Sequence, residues 1–390
     1  MRKRKIIILL NSIQTGGLLI SLLEALNVVQ LNDFDITVYA TSSFDSCEKR
    51  FPSEVKVIID KDKTHYHRRP KAVLLHLKIV LFKLLKRTEK RKKYEEQLHS
   101  FVHAHKAKYP AEQYFCDGVD VVVSYALGLC TEMAVNIQAD KKYLFFHSSD
   151  PSFHRDLTDT CFGKFDRIIA VSKNVQQMLK QSFPEYKNKI SLIRNYLNPD
   201  RIVFLSKEFS IDRFKKDIVL TSVVRVDKEK GADIIVDAAL ALKNKGFSFI
   251  WYIVGDGSDR ALIEKQILDY GLSDCVFITG FQSNPYPYIK DCDIYVHPAY
   301  EESFGLAILE ALILGKAVVS TDTMGAREVL GNGEYGLIVP INSFKVAESI
   351  EELINNQNLK RKYELCFQNN NRQERTVYEH EWTSLLKGEL

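Results

Sequence analysis

Two glutamates, Glu302 and Glu310, stand at the start and in the middle of a short apolar segment that runs to Leu314. From Leu306 to Leu314 every residue except Glu310 is apolar, which predicts a buried helix that carries one carboxylate. An unpaired carboxylate is costly to bury, so Glu310 should have a partner. A vicinal diol, such as that of a ribose, offers two donors to one carboxylate. A protein Arg or Lys is the alternative partner.

The residues before this apolar segment predict an anion site. We expect Ser303 to cap a helix that runs from Gly305 to Leu314 and ends at Gly315. The backbone N–H groups of Phe304 and Gly305 would then present the positive end of the helix to a diphosphate, and Gly305 would allow close approach. An ordinary turn is the alternative reading of Gly305, but its spacing from the two glutamates favours a nucleotide-sugar site.

The elements that must position these residues alternate along the whole chain. Short β-branched runs alternate with helical patterns, which is typical of parallel α/β sheets. The predicted strands are 6–10, 35–40, 55–59, 119–124, 141–146, 167–171 and 190–193 in the first half, and 218–224, 247–254, 276–279, 294–297, 317–321 and 336–339 in the second.

A chain of 390 residues exceeds the size at which one core stops growing, so two domains are expected. The polar stretch 195–216 interrupts the alternation of strands and helices and marks the boundary. We predict two Rossmann-like doubly wound domains, 1–196 and 197–374, facing across a cleft. A final helix at 375–390 would pack back on the first domain.

Charge and cysteine usage narrow the setting. The net charge is +4, but residues 61–108 hold fifteen Lys and Arg against four Asp and Glu, so the basic character belongs to one segment. That segment predicts a peripheral contact with anionic membrane, and a core helix with a solvated basic end is the alternative. Seven scattered cysteines without a Cys-x-x-Cys pair are typical of a reducing cytoplasm. No run is long enough to predict a membrane span.

The second half also carries a resemblance. The stretch from His297 to Ser320, which contains Glu302 and Glu310, resembles the Glu-x7-Glu region of retaining glycosyltransferase family 4, whose fold is GT-B. Further segments agree with the family in order and spacing: Val224-Arg-Val-Asp-Lys-Glu-Lys-Gly231, Val254-Gly-Asp-Gly257, Gly280-Phe-Gln-Ser-Asn-Pro285 and Gly325-Ala-Arg-Glu328. Together they cover most of the second domain.

The resemblance implies a role for each of these positions. Arg225 and Lys230 would clamp the donor diphosphate, Glu310 would hold the ribose, and Glu302 would contact the transferred sugar. The remaining binding residues would offer backbone donors, form the turn beside the phosphates or form the wall against which the base stacks. They are Ser303, Phe304, Gly305, Leu306, Gly255, Gly257, Gly280 and Phe281.

The first domain offers three further candidates. Gly16 and Gly17 follow the first strand and precede a helical pattern from Leu18 to Val28, so they would line the cleft, although a plain tight turn fits as well. His147 closes an apolar strand. A lone histidine is usually a satisfied core residue, but the resemblance places this one against the transferred sugar.

Other chemistries are not expected. The histidines between positions 65 and 105 lack a carboxylate-rich partner motif, and the family generally lacks the Asp-x-Asp metal motif, so we predict no metal and no cofactor besides the donor substrate. No nucleic-acid module is recognisable.

The resemblance, together with the basic segment, implies a retaining, metal-independent hexosyltransferase that is cytoplasmic and peripheral to the membrane. It would move a sugar from a nucleoside diphosphate, UDP rather than GDP, to a lipid-linked glycan of bacterial surface polysaccharide such as capsule or lipopolysaccharide. The alternatives are a sugar-nucleotide 2-epimerase on the same fold and a non-catalytic transferase-like partner subunit.

Overall fold

The chain folds into two separate parallel sheets with helices between their strands. The computed structural model describes residues 2–44, 46–60, 70–84, 88–116, 118–152, 161–212, 218–367 and 371–390. In chain order the strands are β1 Arg4–Leu10, β2 Phe34–Ala40, β3 Lys56–Ile59, β4 Val119–Ser124, β5 Ala139–Phe146, β6 Arg167–Ala170, β7 Ile190–Leu192, β8 Ile218–Val223, β9 Phe249–Val254, β10 Val276–Gly280, β11 Ile294–His297, β12 Ala317–Thr321 and β13 Leu337–Val339.

Amphipathic and apolar helices connect these strands. The α-helices of the described residues are α1 Gly17–Val28, α2 Pro70–Leu84, α3 Thr88–Gln113, α4 Leu129–Asn136, α5 Lys173–Ser182, α6 Pro199–Leu205, α7 Ala232–Asn244, α8 Arg260–Asp269, α9 Tyr286–Asp291, α10 Leu306–Ile313, α11 Met324–Val329, α12 Ser343–Asn355, α13 Gln357–Cys366 and α14 Asn371–Leu386.

Both sheets are doubly wound. Within the described residues, the first has seven strands in the order β3-β2-β1-β4-β5-β6-β7, and the second has six in the order β10-β9-β8-β11-β12-β13. Every paired strand runs parallel to its neighbours. Strands covered on both faces are expected to be mainly apolar, and Ile6 to Leu9 and Phe249 to Val254 are buried along their length.

The chain divides into two compact units. The first unit comprises Met1–Ala170, Met178–Ile193 and Glu379–Leu390, and the second comprises Val171–Gln177 and Arg194–Tyr378. The main division falls between Ile193 and Arg194, and Val171–Gln177 joins the second unit. Asn198 in the predicted boundary stretch accepts hydrogen bonds from the Asp200 and Arg201 amides and caps α6.

The last helix belongs to the first unit through its C-terminal part. Trp382 on α14 is buried and stacks on Phe145 at a centroid distance of 5.1 Å and an interplanar angle of 19°. Leu385 and Leu386 are buried beside it. Because β5 carries Phe145, the end of the chain completes the core of the first sheet.

The predicted fold class is confirmed, since the second half repeats the α/β pattern of the first in its own sheet. Each predicted strand is present, with ends that differ by at most two residues. No helix of the described residues has both the length and the apolar content to cross a bilayer.

Candidate active site

The candidate residues of the second unit meet at the carboxyl edge of its sheet. The strand order reverses between β8 and β11, and in open α/β sheets ligands bind outside the carboxyl ends of strands at such a point. Arg225 and Lys230 follow β8, and Glu302 follows β11. Gly255 follows β9, and Gly280 ends β10, so the predicted residues share one edge of one sheet.

Glu302 is the centre of a three-residue cluster. Lys230 Nζ donates to Glu302 Oε2 at 3.0 Å and to the Glu301 backbone oxygen at 3.0 Å. His297 Nε2 lies 3.3 Å from the same Glu302 Oε2, but its N–H is not aligned for a hydrogen bond. The side chains of Lys230, Glu302 and His297 are 22%, 17% and 3% exposed. Residues 72 positions apart in the chain thus form a largely buried ion pair.

The cluster keeps the Glu302 carboxylate charged. Burial by itself would raise the pKa of Glu302, but the neighbouring His297 and the Lys230 charge outweigh it and hold that pKa well below its ordinary value. A carboxylate that stays ionised can accept a hydrogen bond from a sugar hydroxyl at any physiological pH.

The backbone around Glu302 is fixed on two sides. The Gly325 amide donates to the Glu302 backbone oxygen at 2.8 Å, and Ser172 Oγ donates to the Ser303 backbone oxygen at 3.2 Å. A Cβ added to Gly325 would lie 2.6 Å from the carbonyl carbon of Phe304, so only glycine allows this approach. The loop that carries Glu302 is therefore held by contacts distant in sequence.

The helix after this loop starts differently from the prediction. Ser303 was expected to be its N-cap, and that expectation is wrong: Gly305 precedes the first turn of α10 at φ 92°, and no side chain caps the helix. This left-handed conformation suits glycine, and it turns the chain sharply from the Glu302 loop into α10. Phe304 is buried, Leu306 is half-buried, and Gly315 at φ 67° follows the helix as predicted.

Glu310 is buried in α10, as its apolar neighbours predicted. It is 3% exposed, and Tyr286 Oη lies within hydrogen-bond distance, 3.3 Å from Glu310 Oε1. The buried Tyr295 lies near enough that the Glu310 charge, after burial itself, helps to raise the pKa of its phenol well above the ordinary value. The polar surroundings of Glu310 therefore include tyrosines from α9 and β11.

Gly255 and Gly280 join the ends of β9 and β10. The Gly255 amide donates to the Gly280 backbone oxygen at 3.0 Å. Gly255 has φ 152°, and a Cβ there would lie 1.9 Å from the Val224 backbone oxygen, so no other residue fits. A Cβ at Gly257 would lie 2.3 Å from the Val226 backbone oxygen. These contacts draw the turn after β9 against the segment that leads to Arg225.

Arg225 and Phe281 lie at the open part of this edge. Arg225 is 60% exposed and pairs through Nε with Asp227 at 3.0 Å and through Nη2 with Glu229 at 3.2 Å. Phe281 follows β10 and is 48% exposed. Unlike Lys230, Arg225 has no contact with Glu302 among the contacts of the described residues.

The first unit holds the remaining candidates at the carboxyl edge of its own sheet. Gly16 is the N-cap of α1, and Gly17 is its first residue, so both follow β1 as expected. His147 follows β5 and is packed beside Tyr125 at a ring-centroid distance of 4.9 Å. Burial lowers the pKa of His147 to about 4, against a hydrogen bond with the Tyr125 backbone that raises it. His147 is therefore a neutral imidazole at neutral pH.

Sequence reasoning left three residues of the site without a role. His297 stood inside the resembling stretch, Tyr286 in the segment after Gly280, and Ser172 directly after β6. A polar residue at the carboxyl end of a strand was the signal that could have identified His297 and Ser172. Tyr286 could not be identified, because its contact with Glu310 depends on how α9 packs against α10.

Metal binding has no support in the described part of the chain, where no three His, Cys, Asp or Glu residues are grouped as ligands. Of the histidines between positions 65 and 105, His65 and His67 lie outside the described residues. The prediction that no metal is needed stays a prediction.

The two sheets define the class of protein. The whole chain superposes on glycosyltransferases of the GT-B fold. Anabaena Alr3699/HepE in complex with UDP and glucose is 17% identical at a TM-score of 0.72, with 98% of this chain and 99% of that chain covered. The structure of TarM is 13% identical at a TM-score of 0.72, with 99% of both chains covered. At these identities the likeness establishes the fold.

Sequence comparison matches the second half of the chain to a family model. Residues 184–372, about half of the chain, match the family model of glycosyl transferases group 1. The region includes Arg225, Lys230, Glu302 and Glu310. The resemblance predicted from the motifs is thereby confirmed.

Two of the curated relatives carry names from bacterial glycan synthesis. The N-acetylgalactosamine-N,N'-diacetylbacillosaminyl-diphospho-undecaprenol 4-alpha-N-acetylgalactosaminyltransferase of Campylobacter jejuni is 28% identical over 209 residues, or 53% of this chain and 56% of that protein. The capsular polysaccharide biosynthesis glycosyltransferase CapM of Staphylococcus aureus is 27% identical over 205 residues, or 50% and 53%. The matched part thus spans about half the length of these relatives.

Proposed function

We propose that this chain is a retaining, metal-independent glycosyltransferase that moves a sugar from a nucleoside-diphosphate sugar to a hydroxyl of a lipid-linked glycan in bacterial surface-polysaccharide synthesis. The observation that supports the proposal most is the pair of carboxylates: Glu302 is held ionised by Lys230 at the carboxyl edge, and Glu310 is buried in the helix that follows. One carboxylate suits a sugar hydroxyl and the other a ribose.

Lys230 can serve the donor diphosphate without leaving Glu302. An ammonium group has three N–H donors. Among the described residues, Lys230 Nζ donates to two acceptors, Glu301 O and Glu302 Oε2. A phosphate oxygen can take the third. Arg225 is exposed and would exchange its contacts with Asp227 and Glu229 for phosphate. These cations would stabilise the charge that develops on the departing diphosphate, which is the role we give them in catalysis.

The acceptor hydroxyl would attack from the face that the diphosphate leaves. In this mechanism, which the family resemblance implies, the leaving diphosphate takes the acceptor proton, so no protein group acts as the base. The Glu302 carboxylate would orient the sugar through its hydroxyls. The same resemblance assigns His147 to the transferred sugar, and that role stays a prediction.

Donor binding is the direct test. We expect isothermal titration to show binding of UDP, the first nucleotide to test because Alr3699/HepE carries it, in preference to GDP. Glu310→Ala should weaken binding at least tenfold, by about 1.4 kcal/mol, because the ribose loses its acceptor. Glu348→Ala, an exposed glutamate on α12, is the matched control. Absence of binding to the wild type, or equal binding by Glu310→Ala, would contradict the proposal.

Product analysis separates the alternatives. Slow hydrolysis of a panel of nucleotide sugars identifies the donor and needs no acceptor. Proton NMR of a transfer product then gives the anomeric configuration of the transferred sugar. An inverted product would refute retention, and loss of activity in EDTA would refute metal independence. Conversion of UDP-GlcNAc to its C2 epimer would instead identify the epimerase. Nucleotide binding without turnover of any donor would favour the non-catalytic partner.

The lipid-linked acceptor implies work at the inner face of the membrane, and α2 in the first unit has a surface suited to it. Five large apolar side chains of α2 are exposed to water, each by at least 43%: Val73, Leu74, Leu77, Val80 and Leu81. At about 100° per residue they form one stripe along the helix. The opposite side of α2 carries the buried Ala72 and Leu75. A helix with two apolar sides needs a second partner besides its own domain.

The basic residues of α2 border this stripe on both sides. Lys71 and Lys78 lie along one border, where their ammonium groups sit 5.2 Å from the rings of Phe101 and Tyr94 on α3. Lys83 lies along the other border. On a bilayer surface, this arrangement would place cations at headgroup height on each side of the apolar stripe. We therefore propose an anionic bilayer surface as the occupant. Residues 61–69 and 85–87 of the predicted basic segment lie outside the described residues.

Vesicle sedimentation tests this contact. Wild-type protein should sediment with vesicles of phosphatidylglycerol and phosphatidylethanolamine and much less with phosphatidylcholine alone. Leu77→Glu should abolish sedimentation, whereas Leu268→Glu, an equally exposed leucine of the second unit, should not. Equal sedimentation of the two variants would exclude α2 as the membrane surface.

A further inference from the structure

His297 is a buried histidine with no hydrogen-bond partner at either ring nitrogen among the described residues. It ends β11 at the carboxyl edge, with its side chain only 3% exposed. Its backbone oxygen accepts hydrogen bonds from Ser320 Oγ at 3.0 Å and Thr321 Oγ1 at 3.3 Å, so the main chain there is fixed. An imidazole buried in this way costs stability that an apolar side chain of similar size would not.

The position of the ring beside Glu302 suggests that an interaction with this carboxylate compensates the cost of burial. Its Nε2 faces Glu302 Oε2 at 3.3 Å, close enough to donate after a small change of angle. Hydrogen bonds at active sites are often poorly aligned without substrate and tighten in the complex. The other ring nitrogen, Nδ1, has no acceptor nearby in the described chain, so a proton there would be buried without a partner. A ring proton on Nε2 therefore fits the site.

We propose that His297 is a positioning residue for Glu302: its Nε2–H and the Lys230 ammonium hold one carboxylate oxygen, Oε2, so that the other, Oε1, faces the hydroxyl of the transferred sugar. This inference rests on the proposed function, because it needs a sugar at Glu302. Lys230 donates to Oε2 from the segment after β8 and His297 Nε2 lies 3.3 Å from it at the end of β11, so once both donate the carboxylate could not rotate without losing one of them. Among the ion-pair contacts of the described residues, the ring lies beside Glu302, whose charge is balanced by Lys230.

Three variants separate a positioning role from a packing role. His297→Gln keeps an N–H donor near the position of Nε2. His297→Asn is too short and places its amide near Nδ1. His297→Leu fills the space without any donor. The readouts are kcat and KM for hydrolysis of the preferred nucleotide sugar, the Kd for the free nucleoside diphosphate, and the melting temperature.

We expect His297→Leu and His297→Asn to lower kcat by about tenfold or more, the usual order for loss of one positioning hydrogen bond. His297→Gln should retain most of the wild-type rate. Nucleoside diphosphate binding should stay within about twofold in all three, because Glu310 and the cationic residues remain. His297→Leu should melt no lower than the wild type, since it removes an unpartnered polar ring.

A packing role predicts a different set of results. If His297→Leu turns over donor like the wild type, or if the Gln and Leu variants are equally impaired, the positioning role is refuted. A wild type that neither binds a nucleoside diphosphate nor hydrolyses any donor would refute the proposed function instead. A loss of kcat in His297→Leu accompanied by an equal loss of nucleotide affinity would also overturn the inference, because the defect would then extend beyond the sugar.

Discussion

Replacing Lys230 by methionine removes the cation that pairs with Glu302, so that His297 is the remaining neighbour of the carboxylate in the cluster. The substitution tests whether the ion pair stabilises the chain without a ligand. Removing one partner of a fully buried pair costs about 3–5 kcal/mol, whereas an exposed pair contributes about 0–1 kcal/mol. The Lys230 and Glu302 side chains are 22% and 17% exposed, so the pair falls between these limits. We expect a loss of about 2 kcal/mol, which lowers the melting temperature of a domain of this size by roughly 4–8 °C.

Thermal unfolding without nucleotide measures this loss. Lys243→Met is the matched control, because Lys243 pairs with Asp274 at 2.8 Å where their side chains are 39% and 59% exposed. It should cost less than about 1 kcal/mol. Combining Lys230→Met with Glu302→Gln should recover part of the loss, since the variant no longer buries an unbalanced charge. If Lys230→Met melts no lower than Lys243→Met, the cluster does not stabilise the fold and our account of the Glu302 pKa is wrong.

Three further predictions use the same unfolding assay. Gly255→Ala, whose Cβ would meet the Val224 carbonyl oxygen at 1.9 Å, should lower the melting temperature far more than Gly271→Ala, which has a positive φ but open space around it. His147 has a lowered pKa, so the stability it contributes is present above pH 6.5 and lost as the pH falls toward about 4. His147→Gln should remove this part of the acid sensitivity, about 1 kcal/mol per pH unit. Trp382→Ala should destabilise the first unit by about 3–5 kcal/mol, and a cost below that of a surface substitution would contradict the packing of α14.

Most of the fold could be predicted because its strands are buried on both faces. Runs such as Ile6 to Leu10 and Val121 to Val123 are continuously apolar and rich in β-branched residues, and polar residues end them. The helix that carries Glu310 was equally plain, since one carboxylate in a wholly apolar segment has few explanations. Both features are local in sequence, which is why they needed no coordinates.

The loop between β11 and α10 shows where such local reasoning fails. Ser303 has the residue type of an N-cap, but its backbone oxygen accepts from Ser172 and the preceding Glu302 oxygen accepts from the Gly325 amide. Those tertiary contacts fix the loop in a path that only a left-handed Gly305 can continue into the helix.

The contact between Lys230 and Glu302 has a similar origin in topology. It exists because β8 and β11, distant in sequence, are neighbours in the sheet, so the segments that follow them meet at one edge. His297 reaches the same carboxylate from five positions earlier, because the chain turns back after leaving β11. Residue types therefore identified the glutamates, but only the strand order shows which donors orient them. This is also why the proposed role of His297 concerns the orientation of a carboxylate and not its charge.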